Sequence, residues 1–322
     1  MKAVLSVFAV LCALAPAAAV HAQGYPAKPV RIVVGYAPGG GVDTTARMVA
    51  VALTEVWGMQ VLVENRPGAA GNIGTEFTAR AAPDGYTLVL CNIGSHAVTP
   101  ARFSKRLTYD PVGDFAFPAR IGGVPNVFMA HPSLPMRNLK QYIAYAKANP
   151  GKLNFGSSGV GASPHMSIEL LKTMTGINIV HVPYKGAGPA MTDLMGGQVQ
   201  MLITGVSAAM PHVKAGKLRA LASTGSKRLG VWPDLPTIGE TVSGYEVNSW
   251  YGVFAPAGTP PAIIGRLSAE LVKLVRRSDV NERLNGAGIE PEGTAPREFA
   301  EQVRNEIAQW GRVIRIAGVP RQ

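Results

Sequence analysis

Two glycine-rich segments contain the residue types that could hold a small anion. The first, residues 39–41, follows the apolar segment Val30–Val34, and the second, residues 157–162, follows the apolar segment 153–156. Glycine lets backbone N–H groups approach a ligand closely, and a helix that begins at such a loop adds about half a positive charge at its N-terminus. Both loops precede a predicted helix, so they are suited to binding a carboxylate.

Short polar and aromatic side chains surround these loops. The direct polar partners of an anion would be Ser157, Ser158, Ser163 and His165, the last lying in the first turn of the second helix. The candidate ligand-binding residues near the two loops are Tyr36, Pro38, Gly39, Gly40, Gly41, Asp43, Ser95, His96, Ser157, Ser158, Gly159, Gly161, Ala162, Ser163, His165 and Tyr184.

Several of these residues also have a structural interpretation. The first glycine loop is consistent with a tight turn, and Asp43 is placed to cap its helix, which would leave the loop amides free for a ligand. His165 is also consistent with a packed or capping histidine. His96 follows a predicted strand and could line a cleft or lie in the core, and the same two interpretations apply to Tyr36 and Tyr184.

The sequence lacks the motifs of common enzymes and cofactor sites. Gly39 and Gly41 fit the first two places of the dinucleotide pattern G-x-G-x-x-G, but Thr44 occupies the third, and no phosphate-loop Gly-Lys-Ser/Thr follows. No G-x-S-x-G elbow and no H-E-x-x-H zinc motif occur. The 2 cysteines exclude a disulfide scaffold, because one lies in the N-terminal segment. We therefore expect no catalysis, no cofactor and no metal.

A repeated order of strand, loop and helix positions these segments. The first unit is predicted as strands 30–34, 60–64 and 86–90 with helices 43–57 and 72–81. The second unit is predicted as strands 153–156, 177–182 and 198–203 with helices 163–175 and 189–195, the first of which opens with Ser163 as N-cap. Further predicted elements are strands 128–131, 218–223 and 247–255 and helices 139–148, 261–277 and 296–316.

Alternating strands and helices imply parallel sheets with right-handed crossovers. We expect an α/β protein of two lobes, each a mostly parallel, doubly wound sheet with flanking helices. Residues 23–125 and 252–322 would form the first lobe and residues 126–251 the second. Ligands of such sheets bind beyond the carboxyl ends of the strands, where the glycine loops of the two lobes would face each other across a cleft.

The N-terminal residues predict export. Lys2 precedes a run of small apolar residues, and Val20-His21-Ala22 has the small residues of a cleavage site. We therefore expect a signal peptide at residues 1–22, cleaved near Ala22, and a periplasmic protein. No later stretch approaches the ~20 apolar residues of a membrane helix.

Composition and charge limit the classes of molecule that the protein is expected to bind. Apolar residues make up 47% of the 322 residues and charged residues 16%, which excludes intrinsic disorder. The formal net charge of +11 comes from scattered basic residues rather than clusters with aromatics, so we expect no nucleic-acid partner. A basic surface either maintains solubility or attracts a small anionic ligand, and the charge alone does not distinguish these two roles.

A series of short motifs resembles one known family. The chain is similar to the periplasmic solute receptors of tripartite tricarboxylate transporters, the Bug-type receptors, from Tyr25 to about Gly318. The motifs that carry the resemblance are, in chain order, Tyr25-Pro26-x-Lys28-Pro29-Val30-Arg31, Gly39-Gly40-x-x-Asp43, Glu64-Asn65-Arg66-Pro67-Gly68-Ala69-x-Gly71-Asn72-Ile73-Gly74, Ala82-Pro83-Asp84-Gly85-Tyr86, Tyr109-Asp110-Pro111, Val182-Pro183-Tyr184-Lys185-Gly186, Gly196-Gly197-Gln198-Val199 and Trp250-Tyr251-Gly252-Val253-Phe254-Ala255-Pro256.

The resemblance implies a two-lobed Venus-flytrap receptor that captures an organic acid and delivers it to an inner-membrane permease. We expect the receptor to be a monomer. It implies that the ligand carboxylate is held between residues 36–43 and 157–165. Two residues depart from the family pattern: Thr204 replaces an aspartate near the cleft, and Pro164 follows Ser163 where a small polar residue is usual. With Thr204 in the site, we expect a mono- or dicarboxylate without an amine, aromatic acids included. A receptor that signals through a membrane sensor and a secreted hydrolase are the alternatives.

Overall fold

The computed structural model describes residues 24–103 and 107–316. In chain order the strands are β1 (Val30–Val34), β2 (Val61–Asn65), β3 (Thr87–Asn92), β4 (Phe115–Val124), β5 (Asn126–Ala130), β6 (Asn154–Ser157), β7 (Val180–Pro183), β8 (Met201–Gly205), β9 (Arg219–Ser223), β10 (Ser249–Pro256) and β11 (Glu290–Thr294). Within the described ranges they form a six-stranded sheet, β11-β4-β10-β3-β1-β2, and a five-stranded sheet, β7-β6-β8-β5-β9.

Helices flank both sheets. In chain order they are α1 (Gly41–Trp57), α2 (Asn72–Ala79), α3 (Thr99–Phe103), α4 (Leu139–Ala148), α5 (Ser163–Thr175), α6 (Ala187–Met195), α7 (Val206–Lys214), α8 (Pro261–Arg276), α9 (Ser278–Gly286) and α10 (Pro296–Ile316). A 3-10 turn at Ala69–Gly71 and a π-helical turn at Gly94–Val98 connect neighbouring elements. We call the six-stranded sheet with its helices the first lobe and the five-stranded sheet with its helices the second lobe.

The strand directions confirm the expected two-lobed α/β architecture, but they correct the prediction that each sheet is mostly parallel, because both sheets are mixed. β1 pairs in parallel with β2 and β3, and β6 pairs in parallel with β7 and β8. β10 is antiparallel to both β3 and β4, and β5 is antiparallel to both β8 and β9. Each sheet is therefore a parallel βαβ unit extended by strands that cross between the lobes.

The chain passes between the lobes at two places that lie side by side. Pro125 alone separates β4 of the first sheet from β5 of the second. The chain returns through residues 224–248 and enters the first sheet again at Ser249, which pairs with Val124. Asn126 and Ser249 thus lie at the junction of the two lobes.

The helix ends follow their sequence signals, with one correction. Gly58 and Gly176 end α1 and α5 in the left-handed conformation, with φ of 61° and 71°. The prediction that Ser163 is the N-cap of α5 was wrong, because Ser163 is already helical and Ala162 holds the extended cap position. Pro164 is therefore the second helical residue, where its missing N–H costs nothing.

Two strands, β4 and β11, and three helices, α3, α7 and α9, were not predicted from the sequence. β4 is interrupted by Pro118 and a pair of glycines, and β11 reads Glu-Pro-Glu-Gly-Thr, so neither shows an apolar alternation. The helices α7 and α9 are short, and α7 contains Pro211. These elements depend on pairing and packing with distant residues, which a local pattern does not report.

An aromatic cluster at the centre of the first lobe joins Trp250, Phe254 and Phe299, so that α10 packs on the strand that returns from the second lobe. None of the helices in the described ranges is long and apolar enough to cross a membrane. The predicted signal peptide lies outside the described residues.

Candidate functional site

A cavity of about 30 Å³ lies between the lobes, beyond the carboxyl ends of β1, β3, β6 and β8. This is the position that the topology of open α/β sheets favours for ligands. The sequence-predicted residues that line it are Tyr36, Gly40, Gly41, Ser158, Ser163 and Thr204. Residues that line it but were missed by sequence analysis include Asn92, Asn126, Ala187, Ser249 and Tyr251.

Four helices begin at this cavity. Its lining includes Gly41 of α1, Ser163 of α5, Ala187 of α6 and Gly205, which is the N-cap of α7. Each helix N-terminus presents N–H groups without intrahelical partners and contributes about half a positive charge. Among the described lining residues no side chain is charged. The positive potential of the cavity therefore comes from backbone dipoles.

The first glycine loop leaves its amides available. Within the described ranges, the N–H groups of Gly40, Gly41 and Val42 donate to no acceptor, whereas Thr44 N–H donates to Gly40 O at 3.0 Å. Buried N–H groups of folded proteins are almost always paired. Unpaired amides that face a cavity are therefore best explained as ligand contacts.

Asp43 holds this loop in place rather than facing the ligand. Its carboxylate accepts hydrogen bonds from Gly39 N–H at 3.0 Å, from Asn65 Nδ2 at 2.8 Å and from both Nε and Nη2 of Arg47. Burial would raise the pKa of Asp43, but the hydrogen bonds from Arg47, Asn65 and Gly39 outweigh it and lower the pKa. Asp43 thus binds the amide before the helix, and its negative charge is balanced by Arg47.

Tyr36 supports the cavity wall in a similar way. Its hydroxyl donates to Ala70 O at 2.8 Å and also lies 3.0 Å from Asn92 Oδ1, which accepts from Gly94 N–H at 2.8 Å. Burial raises the pKa of Tyr36 above its usual range. The Tyr36 hydroxyl is therefore occupied within the first lobe.

The lobes meet closely around the cavity. Ala37 N–H donates to Lys185 O at 3.0 Å, and Thr44 Oγ1 donates to Ser207 Oγ at 3.3 Å. An added Cβ at Gly188 would overlap Pro38 O, and Gly159 has a φ of 130° with its backbone against Ala70. Glycine is needed at these positions because the backbones of the two lobes touch there.

Some polar side chains of the second glycine loop line the cavity, and others bond within the second lobe. Ser163 Oγ is buried without a hydrogen-bond partner in the described residues and lines the cavity, as does Ser158. Ser157 instead lies 2.7 Å from His181 Nε2, and its Oγ also accepts from Gly159 N–H. The Ser157 side chain is thus used within the second lobe.

His165 also points into the second lobe. Its Nδ1 accepts from Gly161 N–H at 3.1 Å, and its ring stacks on His181 with 4.1 Å between ring centroids. Burial, together with the positive charges near it, lowers the pKa of His165 to about 2. His165 is therefore neutral and fastens the loop that leads into α5.

Ser95, His96 and Tyr184 lie away from the cavity lining. The His96 ring stacks on Phe254 at 3.8 Å between centroids in the first-lobe core, beside Ser95 Oγ, and burial lowers its pKa to about 3. The Tyr184 hydroxyl donates to Asp193 at 2.7 Å. Partial burial and that carboxylate raise the pKa of Tyr184 to about 12. The structure thus favours the packing interpretation for His96.

Comparisons with known proteins assign the chain to a family. The model of the tripartite tricarboxylate transporter family receptor matches residues 45–319. The chain belongs to this family. Protein BugT of Bordetella pertussis is 36% identical over 322 residues, which cover 99% of this chain and 98% of BugT. The resemblance drawn from the sequence motifs is therefore confirmed: the family is one of transporter receptors, and solved structures similar to this chain include the periplasmic binding protein BugD, which is 34% identical with a TM-score of 0.89.

Solved structures of receptors agree with the fold. The structure of R. palustris Rpa4515 with adipate is 38% identical with a TM-score of 0.89, and it covers 91% of this chain and 98% of that chain. The structure of MatC from Rhodopseudomonas palustris with bound malate is 33% identical with a TM-score of 0.84, covering 90% and 100%. The two-lobed receptor fold predicted from the sequence is confirmed by these similarities.

The Asp43 network predicts a pH dependence of stability. Because the pKa of Asp43 is lower in the folded protein than in the unfolded chain, its contribution is complete at neutral pH and is lost as the pH falls through about 4 and then through the folded pKa. Asp43→Asn should melt at a lower temperature than wild type at pH 7, and the difference should shrink by pH 3. The exposed Asp234→Asn serves as control. A difference in melting temperature between Asp43→Asn and wild type that is the same at every pH would contradict this role of Asp43.

The close approach of Gly159 predicts a change in lobe closure. An added Cβ would lie 3.2 Å from the Ala70 backbone, so Gly159→Ala should favour a more open arrangement and increase the radius of gyration in small-angle X-ray scattering. Gly151→Ala is the matched control, since Gly151 also has a positive φ, of 75°, but an added Cβ meets nothing within 4 Å. An equal effect, or no effect, in the two variants would contradict a role of Gly159 in closure.

Proposed function

We propose that the protein is a periplasmic receptor that captures a small organic carboxylate between its lobes and delivers it to the inner-membrane permease of a tripartite-type transporter. The observation that carries this proposal is the convergence of four helix N-termini on a cavity whose described lining has no charged side chain. Anions bind at helix N-termini because the N–H groups and the dipole both favour negative charge.

A carboxylate fits this arrangement better than a cation. An ammonium or guanidinium group would lie among N–H groups and find no carboxylate in the described lining to balance its charge. A buried, uncompensated cation is strongly disfavoured. The adipate bound by Rpa4515 and the malate bound by MatC, two members of the fold with 38% and 33% identity, support a dicarboxylate as the ligand.

The backbone supplies most of the proposed contacts. The unpaired amides of Gly40, Gly41 and Val42 would hold the ligand from the first lobe, and the N-terminus of α5 with Ser158 and Ser163 would hold it from the second. Loop residues that do not line the cavity, such as Asp43 and His165, would act by fixing these amides. The cavity would thus bind the anion through neutral hydrogen-bond donors only.

Thr204 supports the exclusion of amines. Its side chain is 3% exposed and lines the cavity at the end of β8, where the family pattern quoted above has an aspartate. A hydroxyl cannot neutralise an ammonium group. We therefore propose a mono- or dicarboxylate without an amine, with aromatic acids among the candidates.

We further propose that the two lobes, predicted from the sequence as residues 23–125 with 252–322 and residues 126–251, close on the ligand by a hinge at the two crossings. β10 is counted from Ser249 with the first lobe, because it pairs in the first sheet. Hinges commonly consist of a few residues at the ends of elements, and Pro125 and Ser249 hold such positions. The receptor would act as a monomer without a cofactor. Export through a signal peptide cleaved near Ala22 belongs to the same proposal.

Two alternative functions are a receptor that signals through a membrane sensor and a secreted hydrolase. A sensor role would use the same cavity, and binding of the purified receptor to its permease rather than to a sensor kinase would distinguish the roles. A hydrolase would need an activated nucleophile in the cavity. The close serine–histidine pair, Ser157 with His181, lies off the cavity lining, and Ser158 has no histidine partner among the described residues. No observation favours hydrolysis.

A ligand panel tests the proposal. Thermal melting and calorimetry with adipate, malate, benzoate and amino acids should show binding of at least one acid without an amine, since a ligand that binds only the folded protein raises its melting temperature. Thr204→Asp should weaken that binding at least tenfold, because it adds a negative charge to the cavity, whereas Thr204→Ser should not. Binding of amino acids alone by the wild type would contradict the proposed ligand class.

A further inference from the structure

Tyr251 has a hydroxyl group that the fold does not use. Its ring packs in the core of the first lobe on β10, and the residue is 4% exposed. The residue lines the interlobe cavity, its hydroxyl lies against Gly41 and Gly205, and no hydrogen-bond partner of that hydroxyl is found in the described ranges. The buried hydroxyls of Tyr25, Tyr36 and Tyr245 each donate to a backbone carbonyl, whereas that of Tyr142, outside the cavity lining, has no partner in the described residues. A buried tyrosine hydroxyl usually finds a partner.

The surroundings of this hydroxyl determine what it can bond. It lies between the two glycines that begin α1 and precede α7: an added Cβ at Gly41 would overlap it, and one at Gly205 would lie 2.9 Å from it. The first backbone groups of a helix that lack intrahelical partners are N–H donors. Such groups can meet the lone pairs of the hydroxyl, but they cannot accept its proton. The hydroxyl proton, which has no acceptor in the described residues, is therefore available to an acceptor in the cavity.

A second unpaired group lies beside it. Asn126 pairs with Gly205 across β5 and β8, lines the same cavity, and is 5% exposed. Its Nδ2 is buried without a hydrogen-bond partner in the described residues. Tyr251 and Asn126 thus bring two unpaired polar side chains to the junction of the lobes, one from each sheet.

We propose that the Tyr251 hydroxyl donates a hydrogen bond to a carboxylate oxygen of the ligand at the junction of α1 and α7. This inference rests on the proposed function and specifies which residue selects the ligand there. Burial raises the pKa of Tyr251 above its usual range, so the donor keeps its proton at any working pH. A neutral hydroxyl group can donate to the anion without placing a fixed positive charge in the closed cavity.

The consequence for specificity follows from the geometry. Tyr251 reaches the cavity from the return crossing, and the glycines it touches belong one to each lobe. A ligand oxygen at this point contacts the first lobe through α1 and Tyr251 and the second lobe through α7. Acids with an oxygen at this position are therefore retained, and analogues that lack it leave the Tyr251 hydroxyl unpaired, which strongly disfavours them.

Tyr251→Phe tests the inference, with Tyr245→Phe as matched control. The probes are adipate and malate, with affinities from calorimetry and melting of the protein alone. Tyr251→Phe should lower the affinity for a bound acid about tenfold to hundredfold, the usual loss of a hydrogen bond to a charged group, without lowering the melting temperature. Tyr245→Phe should instead lower the melting temperature and leave the affinity for the acid unchanged, because the Tyr245 hydroxyl donates to Ser167 O at 3.0 Å in the second lobe, away from the cavity.

The outcomes separate this inference from the proposed function. A wild type that binds an acid and a Tyr251→Phe variant that binds it equally well refute the role of Tyr251 and leave the receptor function intact. A wild type that binds neither probe refutes both. A loss of affinity in Tyr251→Phe with unchanged melting supports the inference, since a purely structural role would lower the melting temperature as well.

Discussion

The convergence of four helix N-termini on one small cavity is the interaction on which the rest of the structure depends. Of these helices, α1 belongs to the first lobe, and α5, α6 and α7 belong to the second. Their unpaired N–H groups create a positive potential without a charged side chain, so the cavity attracts an anion but offers nothing to a cation. The overall charge of +11 works in the same direction at long range, by attracting anions toward the protein.

Keeping these amides unpaired requires support from residues that do not touch the ligand. Asp43 binds the amide of Gly39 and is itself balanced by Arg47 and Asn65, so the loop is fixed without adding a net charge. His165 does the same for the second loop through Gly161 N–H, and it stays neutral because it is buried. Glycines at the lobe contacts allow the backbones to touch. The binding residues and the positioning residues are thus different sets, although both lie in the same loops.

The sequence was most informative where the signal is local. Glycine loops, helix ends and the order of strands and helices predicted both lobes and the loops around the cavity, and helices such as Leu139–Ala148 have the predicted bounds. The direction of a side chain was less predictable, because the packing that turns His96 onto Phe254 comes from a distant strand. Asn126, Ser249 and Tyr251 were missed for the same reason. They reach the cavity through β5 and β10, whose antiparallel pairing joins residues more than 70 positions apart.

A crystal structure of the protein with a bound dicarboxylate would test the central claim most directly. The account predicts that carboxylate oxygens lie within about 3.2 Å of amide nitrogens at the start of α1 and of at least one helix of the second lobe. It also predicts that no arginine or lysine side chain contacts the acid. A ligand whose carboxylates lie away from the helix N-termini, or are held by basic side chains, would contradict it.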